Sequence, residues 1–174
     1  MLIPNRRLVS TVTSEPFTYR QMQTEDILEV SNLVARVFNE AVAPEYSSEG
    51  VREFYRYIKP TAFRARSQSN HFSLIALTQN KIVGTIEMRD YNHVSLLFVA
   101  QDHQRRGIAK ELLFQALQIC QGYKPQPLEI SVNSSSFAVP VYEKLGFYQV
   151  GERQVRNGIG FIPMLLKLSN QNGG

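Results

Sequence analysis

Residues 93–120 read His-Val-Ser-Leu-Leu-Phe-Val-Ala, then Gln-Asp-His-Gln-Arg-Arg-Gly-Ile-Ala, then Lys-Glu-Leu-Leu-Phe-Gln-Ala-Leu-Gln-Ile-Cys. Val94, Leu96, Leu97, Phe98 and Val99 make a short apolar run rich in β-branched and aromatic residues, which predicts a buried strand. Ile108, Ala109, Leu112, Leu113, Ala116, Leu117 and Cys120 recur at offsets of one and four, the apolar stripe of an amphipathic helix. Gly107 stands where the chain enters that helix, and a residue without Cβ lets backbone N–H groups converge and a ligand come close. The unpaired N–H groups of the first helical turn, backed by the macrodipole, form an anion site. Arg105, Arg106 and Lys110 surround it with positive charge, and a diphosphate fits there.

Composition narrows the class of protein. A chain of 174 residues is expected to hold one domain. Its 43% hydrophobic and 20% charged content is that of an ordinary globular protein. One cysteine allows no internal disulfide framework and suits a reducing cytosol, so the expected location is the cytoplasm. No apolar run approaches the roughly 20 residues that span a bilayer, and no apolar segment follows Arg6 and Arg7 as a signal peptide requires. A net charge of +4 and a pI near 9.3 do not demand a nucleic-acid partner, and none is expected. Arg52, Arg56, Lys59, Arg64 and Arg66 concentrate positive charge; they read as a solvated face, or as the mouth of an acceptor site.

In chain order, residues 1–16 form a loosely ordered arm and residues 17–22 a first strand. Thr24 is the expected N-cap of a helix whose buried stripe is Ile27, Val30, Leu33, Val34, Val37 and Phe38. Ser47 or Ser48 caps a second helix, which Pro60 stops, and residues 61–70 read as a mobile polar loop. Residues 72–78 and 81–89 are strands joined at a Gln79-Asn80 hairpin, and Asp90-Tyr91-Asn92 turns the chain into the central strand. After the central helix come breaks at Gly122, Pro125 and Pro127, and then a strand over 128–133, parallel to the central one across the helical crossover. A short helix over 136–145 tolerates Pro140 only in its first turn, and Gly146 caps it. A final hairpin turns at Asn157-Gly158, with Pro163 suggesting an edge or a bulge, and residues 169–174 form a flexible tail.

Two segments then carry a family resemblance. Gln104-Arg105-Arg106-Gly107-Ile108-Ala109, between a strand and a helix, resembles the Q/R-x-x-G-x-G/A pyrophosphate loop of the GNAT superfamily of acyl-CoA-dependent N-acyltransferases. Val141-Tyr142-Glu143-Lys144-Leu145-Gly146-Phe147 resembles the Y-E-K-L-G-F segment of the same family, in the right order and at about the right distance. The resemblance covers residues 17–168 as a single domain. It implies an α/β fold: a mixed, splayed central sheet of about six to seven strands, flanked by about four helices.

What the resemblance implies for function is acetyl transfer from acetyl-CoA, as co-substrate, to a primary amine of a small molecule or peptide in a ternary complex. A non-catalytic acyl-CoA sensor is the alternative, and a homodimer is compatible with either. Leu97, Phe98 and Val99 would bond pantetheine along the splayed strand. Gln104, Arg105, Arg106, Gly107, Ile108, Ala109 and Lys110 would hold the diphosphate. Asn133 resembles the asparagine that touches the cofactor in the family. Its nine-position spacing from Tyr142 is longer than the common one, and Ser135 stands nearer the usual place. A bulge at residues 134–136 would reconcile the two. Tyr142 matches the tyrosine that protonates the leaving thiolate.

The chemistry also needs a base, because a lysine-like amine loses about 4.6 kcal/mol to deprotonation at pH 7. Glu87 and His93 flank the Asp90-Tyr91-Asn92 turn and are the candidates. His71, His93 and His103 lack metal-ligand spacing, so no metal is expected. Cys120 lies on the apolar stripe and reads as an inert thiol, which disfavours an acyl-cysteine route.

Overall fold

The structure is a computed structural model that describes residues 16–124 and 129–168. The expected arm before residue 16, the breaks at Pro125 and Pro127, the strand start at residue 128 and the tail after 168 lie outside the described residues. The elements in chain order are β1 (Thr18–Gln21), α1 (Ile27–Ala41), α2 (Ser48–Tyr57), α3 (Pro60–Ser67), β2 (His71–Thr78), β3 (Lys81–Arg89), β4 (His93–Val99), α4 (Ile108–Tyr123), β5 (Glu129–Ser134), α5 (Val139–Lys144), β6 (Tyr148–Gln149), β7 (Gln154–Arg156) and β8 (Ile159–Lys167).

The strands form one open sheet in the order β1-β2-β3-β4-β5-β8-β6, with β7 paired to β8. Every described pairing is antiparallel except β4 with β5, which run parallel as a helical crossover requires. The expected mixed α/β sheet is therefore present. Among the described residues the fold comprises eight strands and five α-helices, because the C-terminal hairpin divides into β6, β7 and β8 and because α3 is a helix.

Turn chemistry makes the connections short. Gln79 and Asn80 both take left-handed φ (49° and 59°), as do Asn157 and Gly158 (51° and 75°), and paired positive φ values match the twist of two-residue hairpins. Asp90 and Tyr91 do the same between β3 and β4.

Alternation along β3 puts helices on both faces of the sheet. Glu87 meets Arg66 of α3 on one face. Gly84, of opposite parity, meets α4 on the other, where a Cβ would lie 2.9 Å from Ile108 Cγ2. The α4 residues Ile108, Leu112, Leu113, Ala116 and Cys120 are buried there, and Val30, Val34, Val37 and Phe38 of α1 are buried on their own stripe.

Three local expectations are corrected. Thr24 is not the N-cap of α1: Gln23 caps a 3₁₀ turn over Thr24–Asp26 that leads into it. The Asp26 carboxylate takes the Gln23 N–H at 2.7 Å and pairs with Arg20 at 2.6 Å, so a carboxylate outcompetes the threonine hydroxyl. Residues 61–70 are not a mobile loop. Pro60 opens α3 in its first turn, where its fixed φ suits the helix and its missing N–H costs nothing, and Phe63 is buried beneath.

Pro163 lies where the sheet is interrupted on one side, in keeping with the expected edge or bulge: β6 pairs with β8 only at Leu165 and Met164, and β7 only from Phe161 to Ile159. Its carbonyl accepts the Val150 N–H at 3.0 Å, just past the end of two-residue β6, so its absent N–H breaks no ladder. Gly122 marks no break, because α4 continues through it to Tyr123. Three further expectations hold as read. Ser47 Oγ accepts the Gly50 N–H at 3.1 Å at the start of α2, Pro140 sits in the first turn of α5, and Gly146 takes φ 97° after it.

Candidate active site

The site begins with the geometry of β4. Ala100 N–H donates to Val83 O at 2.8 Å, so by antiparallel alternation Phe98 and Leu96 bond toward β3 while Leu97 and Val99 turn their backbone the other way. On that other side β5 pairs only with His93 and Val94, opposite Ser131 and Val132. Past Val94 the two strands part. A hydrogen-bonding edge of β4 is left facing a gap, and an extended ligand can occupy it as an added strand would. Gln104 Nε2 donates to Val99 O at 3.0 Å and ties the following loop to this edge.

At the far end of the gap the chain makes a 3₁₀ turn over Gln101–His103, then Arg105 and Gly107 adopt left-handed φ of 59° and 81°. The first intrahelical bond of α4 runs from Glu111 N–H to Gly107 O, and no side chain caps the helix. The N–H groups of Ile108, Ala109 and Lys110 are thus free to meet an anion. Gln104, Arg105, Arg106 and Lys110 are exposed around them, and no atom lies within 4 Å of where a Cβ on Gly107 would sit. This is an open cradle for an anion.

Tyr142 comes from α5, is buried, and packs edge-on against Phe147 at 5.3 Å. Burial drives its phenol well above the ordinary value, so it is a neutral O–H donor at physiological pH. Asn133 is exposed on β5 opposite Pro163. Ser135 is buried, and its Oγ accepts the Ala138 N–H at 3.2 Å in the turn before α5. The β5–β8 register runs without a bulge through Ser134.

Glu87 is neither a surface carboxylate nor open to the gap. It is 2% exposed; its Oε1 accepts from the Tyr57 hydroxyl at 2.7 Å and its Oε2 from Arg66 Nη2 at 3.1 Å. Arg66 also donates to Tyr57 O at 2.6 Å, and its guanidinium stacks on the Tyr57 ring at 3.7 Å. Sequence reasoning missed Tyr57 and saw Arg66 only as one of several basic residues. No spacing rule links positions 57, 66 and 87 before α3 is known to be a helix.

His93 lies in a row with His71, Arg89 and Ser131 across four adjacent strands. Its Nδ1 is 2.7 Å from Ser131 Oγ, which itself donates to Asn92 O at 3.4 Å. The direction of the His93–Ser131 hydrogen bond follows the tautomer of the imidazole. Burial first, and then Arg89, lower the His93 pKa to about 4, so the ring is neutral at pH 7. Cys120 is fully buried, with burial pushing its thiol up to about 11, a poor nucleophile.

A splayed β4–β5 pair with an anion cradle at one end is the geometry of an acyl-CoA N-acyltransferase. The model of the acetyltransferase (GNAT) domain matches residues 42–168, and the chain belongs to that family, whose chemistry is acyl transfer. Among solved structures, the fold is similar to that of the PaiA N-acetyltransferase of Thermoplasma acidophilum in complex with coenzyme A (19% identity, 88% of this chain and 99% of that one, TM-score 0.72). It is also similar to a GCN5-related N-acetyltransferase of Rhodopseudomonas palustris (22%, 87% and 95%, TM-score 0.71). A GNAT-family acetyltransferase of Staphylococcus aureus matches as well (14%, 88% and 100%, TM-score 0.70). At these identities the likeness is one of fold. Among the described residues no helix is long and apolar enough to cross a membrane.

Proposed function

We propose that the protein is an N-acetyltransferase that moves the acetyl group of acetyl-CoA to a primary amine by direct attack in a ternary complex. The observation that carries this reading is the continuity of the open β4 edge with the three free N–H groups at the start of α4. Those groups, with Gln104, Arg105, Arg106 and Lys110, suit a diphosphate. The edge of Leu97, Phe98 and Val99 suits the amide-bearing pantetheine arm. Asn133 is our choice for the cofactor contact, because it is exposed on β5 whereas Ser135 is buried.

The attack forms a tetrahedral intermediate whose oxyanion an outward N–H of β4 stabilises. As the C–S bond breaks, the neutral Tyr142 phenol gives its proton to sulfur. A buried thiol at Cys120 supports direct transfer over an acyl-enzyme route. On the amine side, His93 offers a neutral imidazole, and Glu87 a carboxylate that reaches substrate only through its partners.

The test is calorimetric titration with CoA, followed by thiol release from acetyl-CoA against spermidine, aminoglycosides, amino acids and peptides. Binding followed by amine-dependent release supports the proposal. Absence of CoA binding overturns it, and binding without release to any acceptor favours the sensor reading.

A further inference from the structure

The gap between β4 and β5 has a closed end. The last β4–β5 pair is at Val94, and Ser95, next along β4, is the extra residue of a β-bulge, since Leu96 pairs with Glu87 and Val94 with Met88. The anion cradle stands at the other end, so an acyl-CoA laid along Leu97–Val99 brings its thioester toward the bulge. One residue before Val94, the row of His71, Arg89, His93 and Ser131 crosses four strands beside that closed end. Arg89 has the strand parity of Glu87, which meets Arg66 of α3, so the row lies on the α3 face and not on the face that α4 covers. The helix α3 stops at Ser67, before the row begins.

Charge singles out Arg89 within the row. Burial lowers the His71 pKa, and burial together with Arg89 lowers that of His93 to about 4, so both rings are neutral at pH 7. The Arg89 side chain is 47% exposed, and its Nε lies 3.6 Å from Asp90 Oδ2. A contact of that length between half-exposed neighbours in sequence holds weakly. Asp90 also accepts from Asn70 Nδ2, and the buried Glu87 is spent on Tyr57 and Arg66, so both carboxylates near Arg89 are engaged. The elements on this face add charge of the same sign. Arg56 pairs with Glu53 and Arg66 with Glu87, but Arg52, Lys59 and Arg64 are exposed and pair with no acid among the described residues. A face of this sign draws anions.

We propose that the acceptor is a small amine that also carries a carboxylate, and that Arg89 binds this carboxylate while the amine meets the thioester at the closed end of the gap. The inference rests on the acyl-transfer reading above and names the class of its acceptor. A planar guanidinium matches a carboxylate with two parallel N–H bonds, which fixes orientation as well as position. The acid end is then held on β3, one strand away from the gap, and the amine end is left to turn toward β4. Arg89 determines specificity without touching the reacting atoms. A polyamine is the opposite of this class, since it brings several positive charges to a guanidinium whose neighbouring carboxylates are already taken.

The experiment follows thiol release from acetyl-CoA with matched acceptors that differ in charge: glycine, β-alanine and γ-aminobutyrate, each against its own carboxamide, with spermidine as the polycation. Rates are compared at equal free-amine concentration. The best acid should exceed its amide in kcat/KM by about 10- to 100-fold, and added salt should narrow that ratio. Arg89→Gln should remove the preference through KM and not kcat, with CoA affinity in calorimetry unchanged. Arg89→Lys keeps the charge but not the fork and should restore part of it. Equal kcat/KM for acids and amides in the wild type overturns the proposal, as does spermidine ahead of every acid or a preference that survives Arg89→Gln. It is also overturned if wild-type protein binds acetyl-CoA yet releases no thiol to any of the acids. Failure to bind CoA at all would instead remove the proposed function.

Discussion

Tyr142 separates chemistry from packing more cleanly than any other residue here. Removing only its hydroxyl leaves the ring against Phe147, so Tyr142→Phe should fold normally. Its kcat should fall by roughly 10²-fold or more with little change in acetyl-CoA affinity, because protonation matters only as sulfur leaves. A donor with a more acidic leaving thiol should recover part of the loss in initial-rate measurements; an equal deficit with both donors would make Tyr142 a packing residue.

His93 carries a prediction about stability. Its folded pKa near 4 lies below the unfolded value near 6.5, so the unfolded chain binds the extra proton between them. Stability from this site is complete above about pH 6.5 and is lost as pH falls toward about 4, by on the order of 2 kcal/mol. Denaturant melts of wild type and His93→Asn should differ in slope across that window and run parallel above it. The resemblance that singles out Tyr142 was legible because it stands in a run of six residues, 142–147, that match the Y-E-K-L-G-F segment. The setting of Glu87 was not, because its partners Tyr57 and Arg66 come from two other elements, α2 and α3.

At the scale of elements, strands and helices with strong periodicity were readable, and so was the turn into α4. Its φ of 81° gives Gly107→Val a definite consequence even though the space around it is empty. A β-branched residue strains that backbone and must pull the loop out of the shape that aims the first-turn N–H groups. CoA affinity should fall by at least about 100-fold in calorimetry while circular dichroism stays unchanged. Retained affinity would show that the diphosphate lies elsewhere.

The element that escaped was α3, because Pro60 was read as a stop when a proline is equally at home in a first turn. Its contribution can be measured. Arg66→Ala leaves the 2%-exposed Glu87 carboxylate without its cation and should cost about 3–5 kcal/mol in chemical denaturation. A loss under about 1 kcal/mol would mean that water enters and solvates Glu87.

For the whole molecule, sequence patterning carried the order of strands and helices, and the family resemblance carried their meeting in a splayed sheet. The bulge at Ser95 could not be read in advance, since one extra residue in β4 leaves the apolar pattern of 94–99 unchanged. Nor could the buried Tyr57–Glu87–Arg66 cluster, which exists only once α2, α3 and β3 are packed together. The central claim is that one continuous surface, from the open edge of β4 to the first turn of α4, receives acetyl-CoA. Amide hydrogen exchange, with and without saturating acetyl-CoA, tests it most directly. The account predicts slowed exchange at the Leu97 and Val99 amides together with those of Ile108, Ala109 and Lys110. Saturable binding that leaves those five amides unprotected would contradict it.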